Sequence, residues 1–273
     1  MYNLSGKVAL VTGAAGAAGL GRAIALRLAQ EGADLVVNDL NEAVGFRAGL
    51  PDVVGEIEAL GQRALAVYAD VASADEVEHM VGQALDHFGR IDILVNNAGA
   101  KAGRDRVPVV DLEEEAFDHV LRVNLKGTFL CCRAVARHML HRGGGGTIIN
   151  ISSTSGKYGV ARFAAYCASK FAVRGFTQAL ARELGPDGIT VYAICPGLLE
   201  SERLDDMAAV LAPAGVDPAD HRQQMIATSI NSAPLGRMTE QDDIAKVAAF
   251  LASDHSDFMT GASLIVDGGI HME

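Results

Sequence analysis

Thr12-Gly13-Ala14-Ala15-Gly16-Ala17-Ala18-Gly19-Leu20-Gly21 follows an apolar run at residues 8–11 and leads into a helix-like stretch at 21–30. Glycines at such a turn let the main chain come close to a neighbouring group, and the N-terminus of the next helix favours negative charge. A small-residue turn could also serve only to pack a helix on a strand. Here the wider context is a strand before, a helix after and an acid, Asp39, about 20 residues on. That pattern predicts a dinucleotide pyrophosphate at the turn. A carboxylate at Asp39 suits a ribose 2′-hydroxyl and repels a 2′-phosphate. No Arg or Lys adjoins Asp39, and Ala18, just before Gly19, is not basic. The expected cofactor is therefore NAD rather than NADP.

Working outward, short β-branched runs recur at residues 8–11, 35–38, 64–68, 91–95, 147–151, 190–194 and 263–266. Helix-like segments lie between them, among them 21–30, 74–88, 117–141, 163–183 and 242–252. Such alternation predicts an α/β, doubly wound, about seven-stranded parallel sheet with helices on both faces. The runs lack clean polar alternation, as strands buried on both sides should. No linker or repeat interrupts residues 1–273, so one catalytic domain is expected. The glycine run at 143–146 reads as the turn from a long helix into the fifth strand. Residues 198–234 form the one long stretch without a clear strand, the pattern of an insertion that covers a site.

The 273 residues, 49% of them hydrophobic, suffice for one large domain. A net charge of −11 argues against nucleic acid as a partner. No apolar run has membrane-spanning length, and the first residues lack the basic start and apolar stretch of a signal peptide. Cys131, Cys132, Cys167 and Cys195 form no C-x-x-C pair, and the histidines form no H-x-x-x-H pair. Disulfides and a metal site are not expected, and a cytoplasmic location is.

A second feature carries chemistry. Tyr166 and Lys170 lie four residues apart in a helical stretch, so they share one face. A tyrosine is a poor acid or base at neutral pH, with an ordinary pKa of about 10, but an adjacent ammonium favours its phenolate. Ser153 stands thirteen residues before Tyr166, at the end of an apolar run, and could hold a substrate oxygen. Ser152 is the alternative to Ser153, which the spacing favours. Cys167 reads as a packing residue rather than a nucleophile.

Taken together, these residues make the chain resemble the short-chain dehydrogenase/reductase family over residues 7–269, and so the Rossmann-type fold. The marks stand in the family's order: Thr12-Gly13 with Gly19-x-Gly21, Asp70-Val71, Asn96-Asn97-Ala98-Gly99, Asn124, Ser153, Tyr166-x-x-x-Lys170 and Pro196-Gly197. The resemblance implies Tyr166 as general acid/base. It implies that Lys170 bonds the nicotinamide ribose and lowers the tyrosine pKa, and that Ser153 orients the substrate oxygen. Asn124 would hold a water linking Lys170 to solvent. Gly13, Gly19, Leu20 and Gly21 would meet the pyrophosphate, Asp39 and Leu40 the adenosine ribose, and Asp70 and Val71 the adenine. Asn97, Ala98 and Gly99 would line the ribose and steady the sheet. The main chain near Pro196 and Gly197, with Ser201 where a threonine often stands, would position the nicotinamide. Asp267-Gly268-Gly269 would lie near a subunit contact of a homotetramer. The glycine turn departs from the family's T-G-x-x-x-G-x-G by having two extra residues, which leaves open which glycine meets which phosphate, Gly16 included.

The implied activity is oxidoreduction: hydride transfer between NAD(H) and a small-molecule secondary alcohol or ketone. Two alternatives stand beside it. One is a reductase of carrier-bound 3-oxoacyl chains, a role that generally uses NADP, against which Asp39 counts. The other is a non-catalytic dinucleotide sensor, which would have no need of Asn124, Ser153, Tyr166 and Lys170 together. Lys101, Arg104 and Arg106, with Lys157 and Arg162, form basic loops at strand ends. They read either as solvated loops or as a welcome for an anionic substrate. The insertion at 198–234 carries Leu204, Met207, Val210, Leu211, Met225 and Ile226, the makings of an adaptable apolar wall.

Overall fold

The computed structural model describes residues 2–40 and 49–272. Seven strands form one parallel sheet: β1 Val8–Thr12, β2 Asp34–Asp39, β3 Ala64–Tyr68, β4 Ile93–Asn96, β5 Gly146–Ile151, β6 Ile189–Pro196 and β7 Ser263–Val266. Their order is β3-β2-β1-β4-β5-β6-β7. The chain winds one way from β1 to β3 and the other way from β4 to β7. The order therefore reverses between β1 and β4, the place where an open α/β sheet leaves a crevice at its carboxyl edge.

The helices are α1 Leu20–Gln30, α2 Leu50–Ala59, α3 Ala74–Phe88, α4 Glu114–Leu121, α5 Thr128–Arg142, α6 Ala164–Leu184, α7 Glu202–Leu211, α8 Pro218–Ser232 and α9 Gln241–Ala252. Successive strand residues point to opposite faces, and both faces are covered. Ala9, Val11, Leu35, Val37, Ile93 and Val95 pack with Ile24 and Leu28 of α1 and Ile244 and Leu251 of α9. Val8, Leu10, Val36 and Leu94 pack with Val77 and Met80 of α3 and Leu130 and Val135 of α5. Double burial is why the strands read as continuous apolar runs. Each fully buried Leu, Ile or Val contributes about 1.5–3 kcal/mol.

The expected single helix at 117–141 differs. Between α4 and α5 the chain makes a π-helical turn, Arg122–Gly127, in which the hydrogen-bond ladder takes one extra residue. Residues 198–234 form α7 and α8, packed on each other. They are pinned by Arg222, which donates to Asp205 at 2.6 Å and to Glu200 at 3.1 Å. Leu199 adds one isolated parallel bridge to Thr239.

At the amino edge of the sheet, one carboxylate gathers three elements. Asp92 accepts from the Val8 amide at 2.9 Å, from Arg90 at 2.8 and 2.7 Å, and from Arg142 at the end of α5. Burial alone would push its carboxyl up. The bonds from Arg90, Arg142 and Val8 outweigh burial and hold it below the ordinary range. Replacing Asp92 by Ala should therefore cost about 3 kcal/mol at neutral pH, read as a lower urea midpoint. A carboxyl with a depressed folded pKa stabilises above its unfolded value of about 4, and the gain fades as pH falls below that. The gap between wild type and Asp92→Ala should accordingly close in acid; a gap that stays constant through that window would contradict the assignment.

Candidate active site

The crevice is built from main chain held close. Gly13 sits at φ +70°, and a Cβ there would lie 2.8 Å from Ala98 Cα. A Cβ on Gly21 would run into the Gly13 carbonyl and the Asn97 side chain. Asn97 fills the space those glycines leave, donating from Nδ2 to the Thr12 and Gly13 carbonyls at 2.9 Å each. Thr12 Oγ1 accepts from the Asn97 and Ala98 amides at 3.1 Å each. The ends of β1 and β4 are thus tied together beneath the N-terminus of α1, whose cap, Gly19, offers no side chain. This cradle, too tight for a Cβ at Gly13, Gly19 or Gly21 and lined by main chain at a helix start, suits a pyrophosphate.

The two extra residues of the turn have a visible use. Gly19 N donates to Gly16 O at 2.9 Å, closing a small turn that leaves Ala17 and Ala18 exposed. The Ala15 amide donates to Asp39 Oδ2 at 2.9 Å, and the Leu40 amide donates to Oδ1 at 2.8 Å. The carboxylate is fixed at the rim of the crevice by the very loop that follows β1. Asp70, after β3, accepts from the Ala72 amide at 2.9 Å and from Arg122 at 3.1 Å. Val71 packs against Gly127, where a Cβ would lie 2.9 Å from Val71 Cγ2. Gly197 follows β6 and donates to Val266 O at 3.1 Å. Ser201 caps α7 without spending its hydroxyl on the helix.

Around Tyr166 the expected residues converge from α6, the end of β5 and the π-helical turn. Lys170, 4% exposed, donates from Nζ to the Ile151 carbonyl at 2.7 Å and lies 5.7 Å from the Tyr166 ring centre. Ser153, just after β5, accepts from the Ser155 amide at 3.1 Å, and its hydroxyl bonds the Tyr166 phenol. Ser152 instead donates to the Lys170 carbonyl at 2.9 Å, so it faces away from the phenol. Asn124 lies in the π-helical turn, 1% exposed. Its Oδ1 accepts from Ala100 N at 2.8 Å and its Nδ2 donates to Ser169 Oγ at 3.0 Å. Ser169 in turn donates to the Tyr166 carbonyl at 2.7 Å. Cys167 is a buried free thiol.

Burial would push the Tyr166 phenol up. Lys170, then Arg203, the Ser153 bond and Arg106 outweigh burial and bring it below the ordinary tyrosine value. Lys170 is itself lowered, first by burial and partly by Arg203, with Tyr166 opposing. Two of these cations are unexpected in their placing. Arg106 leaves the basic cluster after β4 and is 3% exposed, its guanidinium over the rings of Phe163 and Tyr166 at 4.3 and 4.6 Å. Arg203, at the start of α7, donates to Gly99 O at 2.8 Å. Lys101, Arg104 and Arg162 stay on the surface, where Arg104 pairs with Glu113 and Arg162 donates to Val210 O at 3.4 Å. The only hint of Arg106 in the sequence is its position after an acid and before Val107-Pro108, which does not distinguish a buried arginine from a solvated one.

A parallel sheet in this order, with a glycine-built crevice at its switch point, defines the dinucleotide-binding class of fold. A family model described as enoyl-(acyl carrier protein) reductase matches residues 13–271. Over 266 residues the chain is 41% identical to a short-chain dehydrogenase/reductase of Armillaria gallica, covering 97% of this chain and 96% of that protein. It is 40% identical over 266 residues to a 3-oxoacyl-(acyl-carrier-protein) reductase of Staphylococcus aureus, covering 97% of this chain and 98% of that protein. Among solved structures it is similar to carveol dehydrogenase from Mycobacterium avium in complex with NAD, with a TM-score of 0.89 at 30% identity over 99% of each chain. The chain belongs to the short-chain dehydrogenase/reductase family.

Thr12→Val tests the crevice with little change of shape. It strands the Asn97 and Ala98 amides, so unfolding should become easier by about 2 kcal/mol. NADH binding, followed by cofactor fluorescence, should weaken in parallel. An unchanged urea midpoint would show that the Thr12 hydroxyl does not hold the crevice.

Proposed function

We propose that the protein is an NAD-dependent alcohol dehydrogenase or ketone reductase. The observation that supports this best is the Tyr166 phenol, half-buried between the Ser153 hydroxyl and the Lys170 ammonium beside the glycine cradle. In the oxidising direction Tyr166, as phenolate, accepts the proton of the substrate hydroxyl. Ser153, whose oxygen accepts from the Ser155 amide and whose hydroxyl bonds the phenol, would turn its proton to the substrate oxygen once substrate enters. Lys170, held by the Ile151 carbonyl, keeps positive charge beside the phenolate. Asn124, through Ser169, fixes the main chain that carries Tyr166. A bound nicotinamide supplies the hydride acceptor.

Gly13, Gly19, Leu20 and Gly21 would cradle the pyrophosphate, with Asp39 and Leu40 at the adenosine ribose and Asp70 and Val71 at the adenine. Asn97, Ala98 and Gly99 would line the crevice floor. Tyr166 and Lys170 would face the nicotinamide ribose, and Pro196, Gly197 and Ser201 the nicotinamide. The preference for NAD rests on Asp39, whose carboxylate the Ala15 amide fixes at the rim. Helices α7 and α8 would form the movable wall of the substrate pocket. A second reading, reduction of carrier-linked 3-oxoacyl groups, has the Staphylococcus aureus relative in its favour and Asp39 against it.

The test is a panel of secondary alcohols, hydroxy acids, sugars and 3-oxoacyl thioesters, read by NADH or NADPH absorbance with both cofactors in parallel. Turnover with NAD and an alcohol is expected; turnover confined to NADPH and a thioester would establish the second reading. Tyr166→Phe should lower kcat by about a hundredfold to ten-thousandfold while leaving NADH binding intact. Ordinary activity in that variant would refute the role given to Tyr166.

A further inference from the structure

Arg106 is an arginine that the fold buries at a cost. The residue is 3% exposed, and its partner in charge is its own neighbour, Asp105, whose side chain is 4% exposed. Asp105 is held in turn by the Gly103 amide at 3.1 Å. Among the described residues Arg106 Nε has no hydrogen-bond partner. A buried guanidinium with an unsatisfied donor is unfavourable unless something else uses it. What its face meets is the corner formed by two aromatic rings, Phe163 and Tyr166, which stand edge to face with centres 6.3 Å apart.

We propose that Arg106 is a positioning residue for proton transfer: its guanidinium holds the Tyr166 ring against Phe163 and serves as a second buried cation, beside Lys170, for negative charge on the phenol. The proposal rests on the reading of Tyr166 as the acid/base. The charged and titratable groups around Tyr166 and Arg106 come from every neighbouring element. Lys170 and Cys167 share α6, Ser153 follows β5, Arg203 opens α7, and Asp105 and Arg106 follow β4. Three are cations and one, Asp105, is an anion. Arg203 is exposed and spends a donor on the Gly99 carbonyl, so water and salt screen it. Lys170 is buried but anchored to a main-chain oxygen. Arg106 is buried, with Asp105 at the edge of its guanidinium and the rings against its face. A desolvated cation over an aromatic face is the arrangement in which this attraction is strongest. The attraction also grows as the ring gains negative charge, so the contact strengthens as Tyr166 ionises.

Arg106→Met and Arg106→Gln remove the charge, and Arg106→Lys keeps it without the planar face. In the oxidising direction the phenolate is the active form. Loss of the cation should therefore move the acid limb of the kcat/KM profile up by roughly one pH unit. Activity should fall about tenfold at neutral pH and recover in alkali, with the NADH dissociation constant unchanged. Arg106→Lys should lie between. A residue that only props the loop would lower activity equally at all pH. The phenol is also titrated directly, as the ultraviolet difference between each protein and its own Tyr166→Phe counterpart, a readout that needs no substrate. If one uncharged variant does not fold, the other decides; if neither folds, the limb and phenol titration of Arg106→Lys decide. Limbs and titrations superimposable on wild type would overturn the proposal. Tyr166→Phe that stays active would overturn the function reading. An inactive Tyr166→Phe beside an unshifted Arg106 variant would overturn this inference alone.

Discussion

One side-chain amide sits where the sheet changes its mind. Asn97 donates to the carbonyls of Thr12 and Gly13 together, across the gap between β1 and β4. The helix after β1 leaves toward one face of the sheet and the helices after β4 toward the other, so nothing in the strand ladder holds these two ends once pairing stops at Val11 and Val95. The amide does so instead, and it can because Gly13 and Gly21 leave it room. The start of α1, the carboxylate of Asp39 and the floor formed by Ala98 and Gly99 all take their places from that closure.

The second constraint is electrostatic. A chain of net charge −11 gathers three cations around one phenol and admits few anions there. Two of the three are buried, which removes them from the screening that surface charges suffer. The cost of desolvating Lys170 is met by the Ile151 carbonyl. That of Arg106 is met in part by Asp105 and in part by the faces of two rings. The polar framework behind the phenol is just as local. Asn124, Ser169 and the Tyr166 carbonyl form a short chain of hydrogen bonds that ties α6 to the π-helical turn.

Much of this architecture was legible in the residues themselves, because doubly buried strands announce themselves as β-branched runs and a tight main-chain crossing demands glycine. The seven expected strands lie within a few residues of their bounds in the structure; β6 runs on to Pro196, beyond the expected 194, because its end pairs with Val266 of β7. The meeting of Ser153, Tyr166 and Lys170 was legible from helical spacing and from Ser153 ending the β5 run. What escaped reading depended on long-range contact. No local pattern breaks the helix expected at 117–141, since the extra residue at Arg122–Gly127 is accommodated by what Asn124 reaches across the fold. Nor does composition separate Arg104, which pairs with Glu113 in solvent, from Arg106, two positions on and buried against Tyr166. The link from Ala15 to Asp39 was hidden for the same reason, because it joins the turn after β1 to the end of β2.

The π-helical turn fixes a register. A helix with one residue too many cannot be mended by substitution, only by deletion. Removing a residue between 122 and 127 would let the ladder close with regular bonds and would swing everything on its far side by about 100°. The helix would be better as a helix, while Asn124 would turn away from both Ala100 and Ser169, its present partners. Stability of the segment and service to the site thus pull on chain length in opposite directions. In this stretch it is the number of residues, more than their identity, that keeps the polar link to α6 in place.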